Sequence, residues 1–195
     1  MADASPFLAQ VFACIWAIAA REAEAKGVDI SQTIGLARGD LVALAARWLQ
    51  APDAGAIAQM ARAEVVLDDE EGMLLALLDA HRADQGRDSA WLARMVTRRA
   101  MQPNHLWQDL GLPDRAALSR LLRETFPKLA ARNVNNMKWK KFFYRSLCEM
   151  EGFHLCTAPS CRECDDFDAC FGPEDGESLL ARNRRENMSG SLSHP

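Results

Sequence analysis

Four of the six cysteines of this 195-residue chain lie within fifteen residues near its C-terminal end. Cys156, Cys161, Cys164 and Cys170 follow the spacing C-x4-C-x2-C-x5-C, in a stretch with almost no branched aliphatic residues. Burial of apolar surface cannot order such a stretch, so either a bound group orders it or it stays mobile. In a reducing compartment this crowding of thiols indicates metal binding and not disulfide bonds.

The spacing also bears on which metal is bound. Four thiolates suit a tetrahedral zinc ion or an iron–sulfur cluster, because both need soft, deprotonated ligands. Structural zinc sites usually contain two C-x2-C pairs, whereas here one such pair stands between two single cysteines. The first three positions match the C-x4-C-x2-C run of plant-type ferredoxins. The spacing therefore favours an iron–sulfur cluster, with zinc or inert thiols as the alternatives.

The first 150 residues have the pattern of amphipathic helices joined by loops. Apolar residues recur at helical spacing from Phe7 to Ala19, behind Ser5-Pro6 and ahead of Gly27. Further helix starts are expected at Asp40, which could act as a cap, and near Asp68, Asp88, Asn104 and Pro113. Sustained period-two alternation is missing from the sequence. The predicted fold class is all-α, a helical bundle with a C-terminal irregular cysteine-rich metal-binding loop.

Three segments follow from these patterns. We expect a helical domain over residues 1–152, a cysteine-rich cluster-binding loop packed on it over residues 153–176, and an exposed tail over residues 177–195. Five tryptophans lie on different predicted helices and are expected to anchor the core: Trp16, Trp48, Trp91, Trp107 and Trp139.

The last long helix is predicted over residues 137–151, capped by Asn135-Asn136, and it has two faces. One face is expected in the core and carries Trp139, Phe143, Leu147 and Met150. The other face is a stripe of Lys138, Lys141, Arg145 and Cys148 that runs toward the cysteines. Its cations could receive an oxyanion or an acidic partner, and Cys148 could supply a further thiolate. A solvated basic face is the ordinary alternative.

Two further features lie close to the cysteines. His154, two residues before Cys156, is a candidate ligand for a metal that lacks a full thiolate set, or a simple hydrogen-bonding residue. Acidic residues, Glu149 among them, flank the cysteines, and the sequence opposes them only with Arg162. Their charge would lower the reduction potential of a cluster, or would only solvate an exposed loop.

Composition excludes several classes of protein. The formal net charge of −4 argues against a bulk nucleic-acid-binding protein. No run of 18 apolar residues occurs, and acidic residues stand where a signal peptide would be basic, so we expect a cytoplasmic protein that spans no membrane. A phosphate-binding loop, a nucleophile elbow and a paired-carboxylate site are all missing from the sequence, and no enzymatic activity is expected.

Several blocks of the sequence stand out: residues 104–112 (NHLWQDLGL), residues 137–145 (MKWKKFFYR), Leu147-Cys148, and the cysteine run that ends in residues 170–174 (CFGPE). Together these blocks resemble the NifQ family, the molybdenum-processing proteins of nitrogen fixation. The specific part of the resemblance covers residues 104–174, and the earlier helices are compatible with it.

The resemblance implies more than the spacing does. Members of this family are iron–sulfur proteins thought to carry a molybdenum–iron–sulfur cluster. They receive molybdenum from molybdate or a molybdenum-storage source, and donate it to the scaffold complex and nitrogenase reductase that assemble the iron–molybdenum cofactor. Carried onto this chain, Cys156, Cys161, Cys164 and Cys170 would be the metal ligands. Roles for Lys141, Arg145, Cys148 and His154 in holding the cofactor stay hypotheses based on their positions.

Overall fold

The structure is a computed structural model that describes residues 5–49, 61, 64–134 and 136–150. By contacts the chain divides into two units, Met1–Arg132 and Asn133–Pro195. The described residues form α-helices, one π-helix and no strand, which confirms the all-α prediction for this part of the chain. The predicted cysteine-rich loop and the boundary after residue 152 lie outside the described residues.

The first unit contains eight described α-helices and the π-helix. The α-helices are α1 (Pro6–Lys26), α2 (Ile30–Ile34), α3 (Arg38–Leu44), α4 (Asp69–Ala80), α5 (Arg87–Ala100), α6 (Leu106–Asp109), α7 (Arg115–Thr125) and α8 (Pro127–Ala130). The π-helix, Ala45–Leu49, directly continues α3. The second unit has one described helix, α9 (Trp139–Met150).

Local sequence signals account for several helix ends. Helix α1 begins at Pro6 and ends at Gly27, whose φ of 62° is left-handed and suits a residue without a Cβ. Asp68 precedes α4 and forms a capping box with Glu71, because each residue's side chain accepts from the other's backbone N–H. Both ends agree with the predictions.

Other helix starts differ from the prediction. Asp40 is not a cap, because α3 begins at Arg38 after an extended Ala37, and the Asp40 carboxylate accepts a hydrogen bond from Trp91 Nε1 at 2.9 Å. Helix α7 begins after Asp114, whose side chain accepts from Ala117 N at 2.8 Å, and not at Pro113.

Aromatic packing around Phe12 joins α1, the π-helix and α5. The Phe12 ring is fully buried, and its centroid lies 5.1 Å from that of Trp48 and 6.4 Å from that of Trp91. Trp48 and Trp91 are themselves buried, as predicted for core anchors. Trp16 and Trp107 are only half buried, so they are not the fully buried core anchors that were predicted.

Helix α1 is long and apolar enough to cross a membrane by length and composition alone. Core helices of globular proteins and signal sequences also meet that criterion, so it is weak support for a membrane segment. Within the first unit α1 buries Val11, Phe12, Ile15 and Ala19. The expectation that the chain spans no membrane stays a prediction.

Helix α9 is apolar over a wide face. Trp139, Phe142 and Phe143 form a cluster with centroid separations of 5.8, 6.1 and 6.2 Å, and Leu147 is buried as predicted. The prediction that Met150 is a core residue is wrong, because 64% of it is exposed. Helical spacing correctly places Met150 on the apolar face, but Met150 is the last residue of the helix, and there the apolar face is exposed to solvent.

Candidate functional site

Side-chain hydrogen bonds order the segment that precedes α9, the helix that carries the basic stripe. Asn133 brackets Met137: its Nδ2 donates to Met137 O at 2.9 Å and its Oδ1 accepts from Met137 N at 2.8 Å. Asn136 adopts a left-handed φ of 50°, a conformation that asparagine tolerates. The helix then starts at Trp139, two residues later than predicted, and Asn135 of the predicted Asn135-Asn136 cap lies outside the described residues.

Three predicted site residues share one side of α9. Lys141, Arg145 and Cys148 follow each other at intervals of four and three residues, which places them on one face. Arg145 is exposed, whereas Lys141 and Cys148 are half buried. The thiol of Cys148 therefore keeps some access to solvent on the same face as the two cations.

Arg145 forms an ion pair within this face. Its Nε donates to Glu149 Oε1 at 3.2 Å, four residues along the helix, and the two side chains are 42% and 48% exposed. Glu149 is therefore opposed by a cation, contrary to the expectation that Arg162 alone balances the acids. A pair this exposed adds little stability.

The four predicted metal ligands and His154 lie outside the described residues, so their arrangement stays a prediction. Across residues 5–49, 61, 64–134 and 136–150, no group of three or more His, Cys, Asp or Glu side chains is placed to hold a metal ion. The cysteine segment thus carries the only metal-site prediction for this chain.

Sequence reasoning did not anticipate a cleft in the first unit. It has a volume of about 420 Å³ and is lined by residues of α1, the end of α5, the following loop and α6. The lining includes three cations and two acids: Arg21, Lys26, Arg99, Glu22 and Asp109. Its apolar wall is formed by Ile18 and Pro103.

Arg99 is the central residue of this cleft and is only 2% exposed. Its Nε donates to Asp109 O at 2.6 Å, and its Nη1 donates to Thr33 O at 3.2 Å and to Glu22 Oε2. Glu22 Oε1 accepts from Lys26 Nζ at 2.6 Å. Burial alone would raise the pKa of Glu22, but the hydrogen bonds from Lys26 and Arg99 outweigh it and lower that pKa.

No local pattern in the sequence could have revealed this cluster. Glu22 and Arg99 are 77 residues apart, and neither belongs to a recognisable motif. The sequence did show a pair of arginines in the last turn of α5, but a favourable interaction with the helix dipole explains them without any cleft.

The helical fold and the cysteine spacing together define a helical protein with a candidate four-thiolate metal centre. Comparison with known families then makes the assignment specific: the sequence model of the NifQ family matches residues 11–172, and the chain belongs to this family. NifQ proteins are tied to molybdenum processing for nitrogenase.

Individual relatives agree with the family match. The chain is 44% identical over 172 residues to a NifQ homolog of Sinorhizobium fredii, covering 86% of this chain and 73% of that protein. It is 40% identical to NifQ of Rhodobacter capsulatus, over 85% of this chain and 91% of the relative. With NifQ of Azotobacter vinelandii it shares 45% identity over 57% and 56% of the two chains. No solved structure matches the chain significantly.

Proposed function

We propose that this chain is an iron–sulfur metal carrier that incorporates molybdenum and donates it for assembly of the nitrogenase iron–molybdenum cofactor. The observation that carries the proposal is the extent of the family match. It runs from residue 11 to residue 172 and therefore includes Cys156, Cys161, Cys164 and Cys170. The chain shares with the family both its helical part and the segment that we assign to the metal.

The donor set suits the cluster. Four thiolates within fifteen residues can complete the coordination of a cuboidal iron–sulfur cluster without help from the rest of the chain. When bound, such a cluster supplies sulfide, a soft ligand that suits thiophilic, reduced molybdenum. The described residues offer no competing set of ligands.

The basic stripe of α9 is assigned to the incoming metal. Molybdate is an oxyanion, and Lys141 and Arg145 can receive it by charge-assisted hydrogen bonds. Cys148 on the same face and His154 next to the cysteines are the nearest additional donors in sequence. Together these four residues would hold molybdate close to the segment that fixes it.

The remaining assignments follow from this role. The partners would be the cofactor-assembly scaffold complex and nitrogenase reductase, and the source would be molybdate or a molybdenum-storage protein. We expect the chain to act in the cytoplasm, as a carrier and not as an enzyme, and to bind neither nucleic acid nor membrane.

Metal analysis tests the proposal directly. The full chain, purified without oxygen, should contain iron and acid-labile sulfide and should gain molybdenum after incubation with molybdate and dithionite, which supplies the electrons that reduce molybdenum(VI). Replacing Cys156, Cys161, Cys164 or Cys170 with Ala should remove the iron and leave the helical circular dichroism nearly unchanged. Cys14→Ala is the matched control, since Cys14 is a half-buried cysteine of α1.

Other outcomes would assign a different function. Iron without molybdenum after loading would identify a ferredoxin-like one-electron carrier. Stoichiometric zinc without sulfide would identify a zinc-stapled interaction module. Either result would reject the molybdenum carrier.

A further inference from the structure

We propose that the cleft formed by α1, the end of α5 and the loop after it binds a small oxyanion. The juxtaposition that carries this proposal is Arg99 at the back of the cleft with Arg21 at its edge. The proposal goes beyond the function proposed above, because it concerns a site in the first unit and holds whether or not the cysteines bind a cluster.

Arg99 retains donor capacity inside the cleft. All of its hydrogen bonds to described residues use Nε and Nη1, and none uses Nη2. A guanidinium carries two N–H groups on that nitrogen, in a fixed plane suited to an oxyanion. Arg99 lines the cleft and is only 2% exposed, so an anion in the cleft would meet a donor that is shielded from bulk water.

The local charge balance favours an anion. Both carboxylate oxygens of Glu22 already accept, one from Lys26 and the other from Arg99. Asp109 Oδ1 accepts from Asn104 Nδ2 at 3.1 Å. Arg21 has no hydrogen-bond or ion-pair partner among the described residues. The three cations and two acids that line the cleft leave a net positive charge.

Favourable interaction with the helix dipoles does not explain why all three cations line the cleft. Lys26 and Arg99 lie in the last turns of α1 and α5, where a cation is stabilising. That effect is confined to the last turn, so it does not explain Arg21, which lies five residues before the end of α1. It also gives no reason for a buried guanidinium to line a cleft of about 420 Å³.

The shape and the donors define the ligand class. Arg99 and Arg21 both line the cleft, so one anion inside it can accept from Nη2 of Arg99 and from the guanidinium of Arg21. The volume exceeds that of a single water many times over, so a tetrahedral oxyanion fits with ordered water around it. Molybdate, sulfate and phosphate share this chemistry, and the experiment has to distinguish them.

Isothermal titration of the full chain with each of these anions at low ionic strength tests the proposal. Arg21→Gln should weaken binding about tenfold, the effect of losing one hydrogen bond to a charged group. Arg94→Gln is the matched control: like Arg21, Arg94 is an exposed helical arginine with no hydrogen-bond or ion-pair partner among the described residues, but it does not line the cleft. It should leave binding within twofold.

Arg99→Lys tests the buried guanidinium. Lysine keeps the charge but lacks the planar fork, so affinity should fall at least as far as in Arg21→Gln, with circular dichroism reporting whether the helices persist. Arg21 is exposed, so its variant keeps the test valid even if Arg99→Lys does not fold.

The outcomes separate this site from the proposed carrier. Selective binding of molybdate supports the site and links it to molybdenum supply, and equal binding of all three anions supports a general oxyanion site. No binding, or binding that Arg21→Gln leaves unchanged, overturns the proposal. Iron content of the same samples reports the carrier function independently.

Discussion

The carboxylate of Asp88 accepts hydrogen bonds from two residues of the π-helix. Trp48 Nε1 lies 2.9 Å from Oδ1, and the guanidinium of Arg47 contacts both oxygens at 2.9 to 3.1 Å. Trp48 is 8% exposed, so its indole N–H has little access to water. Arg47 is 58% exposed, so its ion pair with Asp88 contributes much less.

Two substitutions at Asp88 separate these contributions. Asp88→Ala leaves the buried indole N–H without an acceptor and should cost about 1–3 kcal/mol of unfolding free energy. Asp88→Asn keeps an acceptor for the indole and loses only the charge, so it should cost less than about 1 kcal/mol. Urea denaturation of both variants measures the difference. Equal losses would show that the charge, and not the indole hydrogen bond, is what matters.

Glu71 is a buried acid whose environment favours its neutral form. It is 3% exposed, and Arg98 Nε lies 2.9 Å from its Oε1 without the alignment of a hydrogen bond. Burial raises the pKa of Glu71, and the charge of Arg98 opposes that rise only in part. Between the unfolded and folded pKa values the folded state binds more protons, so stability falls as pH rises.

Glu71→Gln should remove this dependence. Glutamine keeps the acceptor for the Asp68 N–H and mimics the neutral acid, so the stability of the unsubstituted chain relative to this variant should fall as pH rises above 4.5, the reference pKa. Melting temperatures of both proteins at several pH values measure it, with the exposed Glu124→Gln as a control. A relative gain in stability over the same range would mean that the pair with Arg98 dominates.

At the scale of elements, α9 combines an aromatic face with a basic one. Phe143 is fully buried, whereas Arg145 two residues later is exposed and pairs with Glu149. The aromatic face orders the helix, so its cations can be changed without loss of the core.

Reversing the charges of α9 should therefore affect function and not folding. Lys141→Glu with Arg145→Glu should reduce molybdenum loading or partner binding several-fold, because the variant side chains repel an oxyanion. Iron content should be unchanged. Arg120→Glu is the matched control, since Arg120 also forms an exposed i,i+4 pair, with Glu124. If molybdenum loading and partner binding were unchanged, the basic stripe would be a solvated face with no role in either process.

On the scale of the whole molecule, the division into units predicts which helices lose stability when the metal is lost. The cysteines belong to the unit Asn133–Pro195, whereas the Phe12 core belongs to Met1–Arg132. A core that closes on its own helices does not depend on a ligand that belongs to the other unit.

Hydrogen exchange of the full chain tests this division. Cys164→Ala should speed amide exchange in α9, and amides of α1 and α5 should keep their protection. Cys14→Ala should leave α9 unchanged. Equal loss of protection in α1 and α9 would contradict the division, because it would make the first unit dependent on the metal.

The parts of the fold that follow from neighbouring residues were predictable. Ser5-Pro6 and Gly27 bound α1, and Asp68 with Glu71 caps α4, because these signals act within one helical turn. The side-chain uses of Asp40 and Asp88 were not predictable. Their carboxylates accept from Trp91 and Trp48, which are 51 and 40 residues away.

The candidate sites divide in the same way. Cysteine spacing is a local property, so the sequence alone indicated a four-thiolate metal centre, and the all-α class followed from periodicity within each helix. The oxyanion cleft became visible only in the tertiary structure. It depends on Arg99 meeting Glu22 across 77 residues, and only the packing of α1 against α5 and α6 decides which buried charges are paired and which donors stay available.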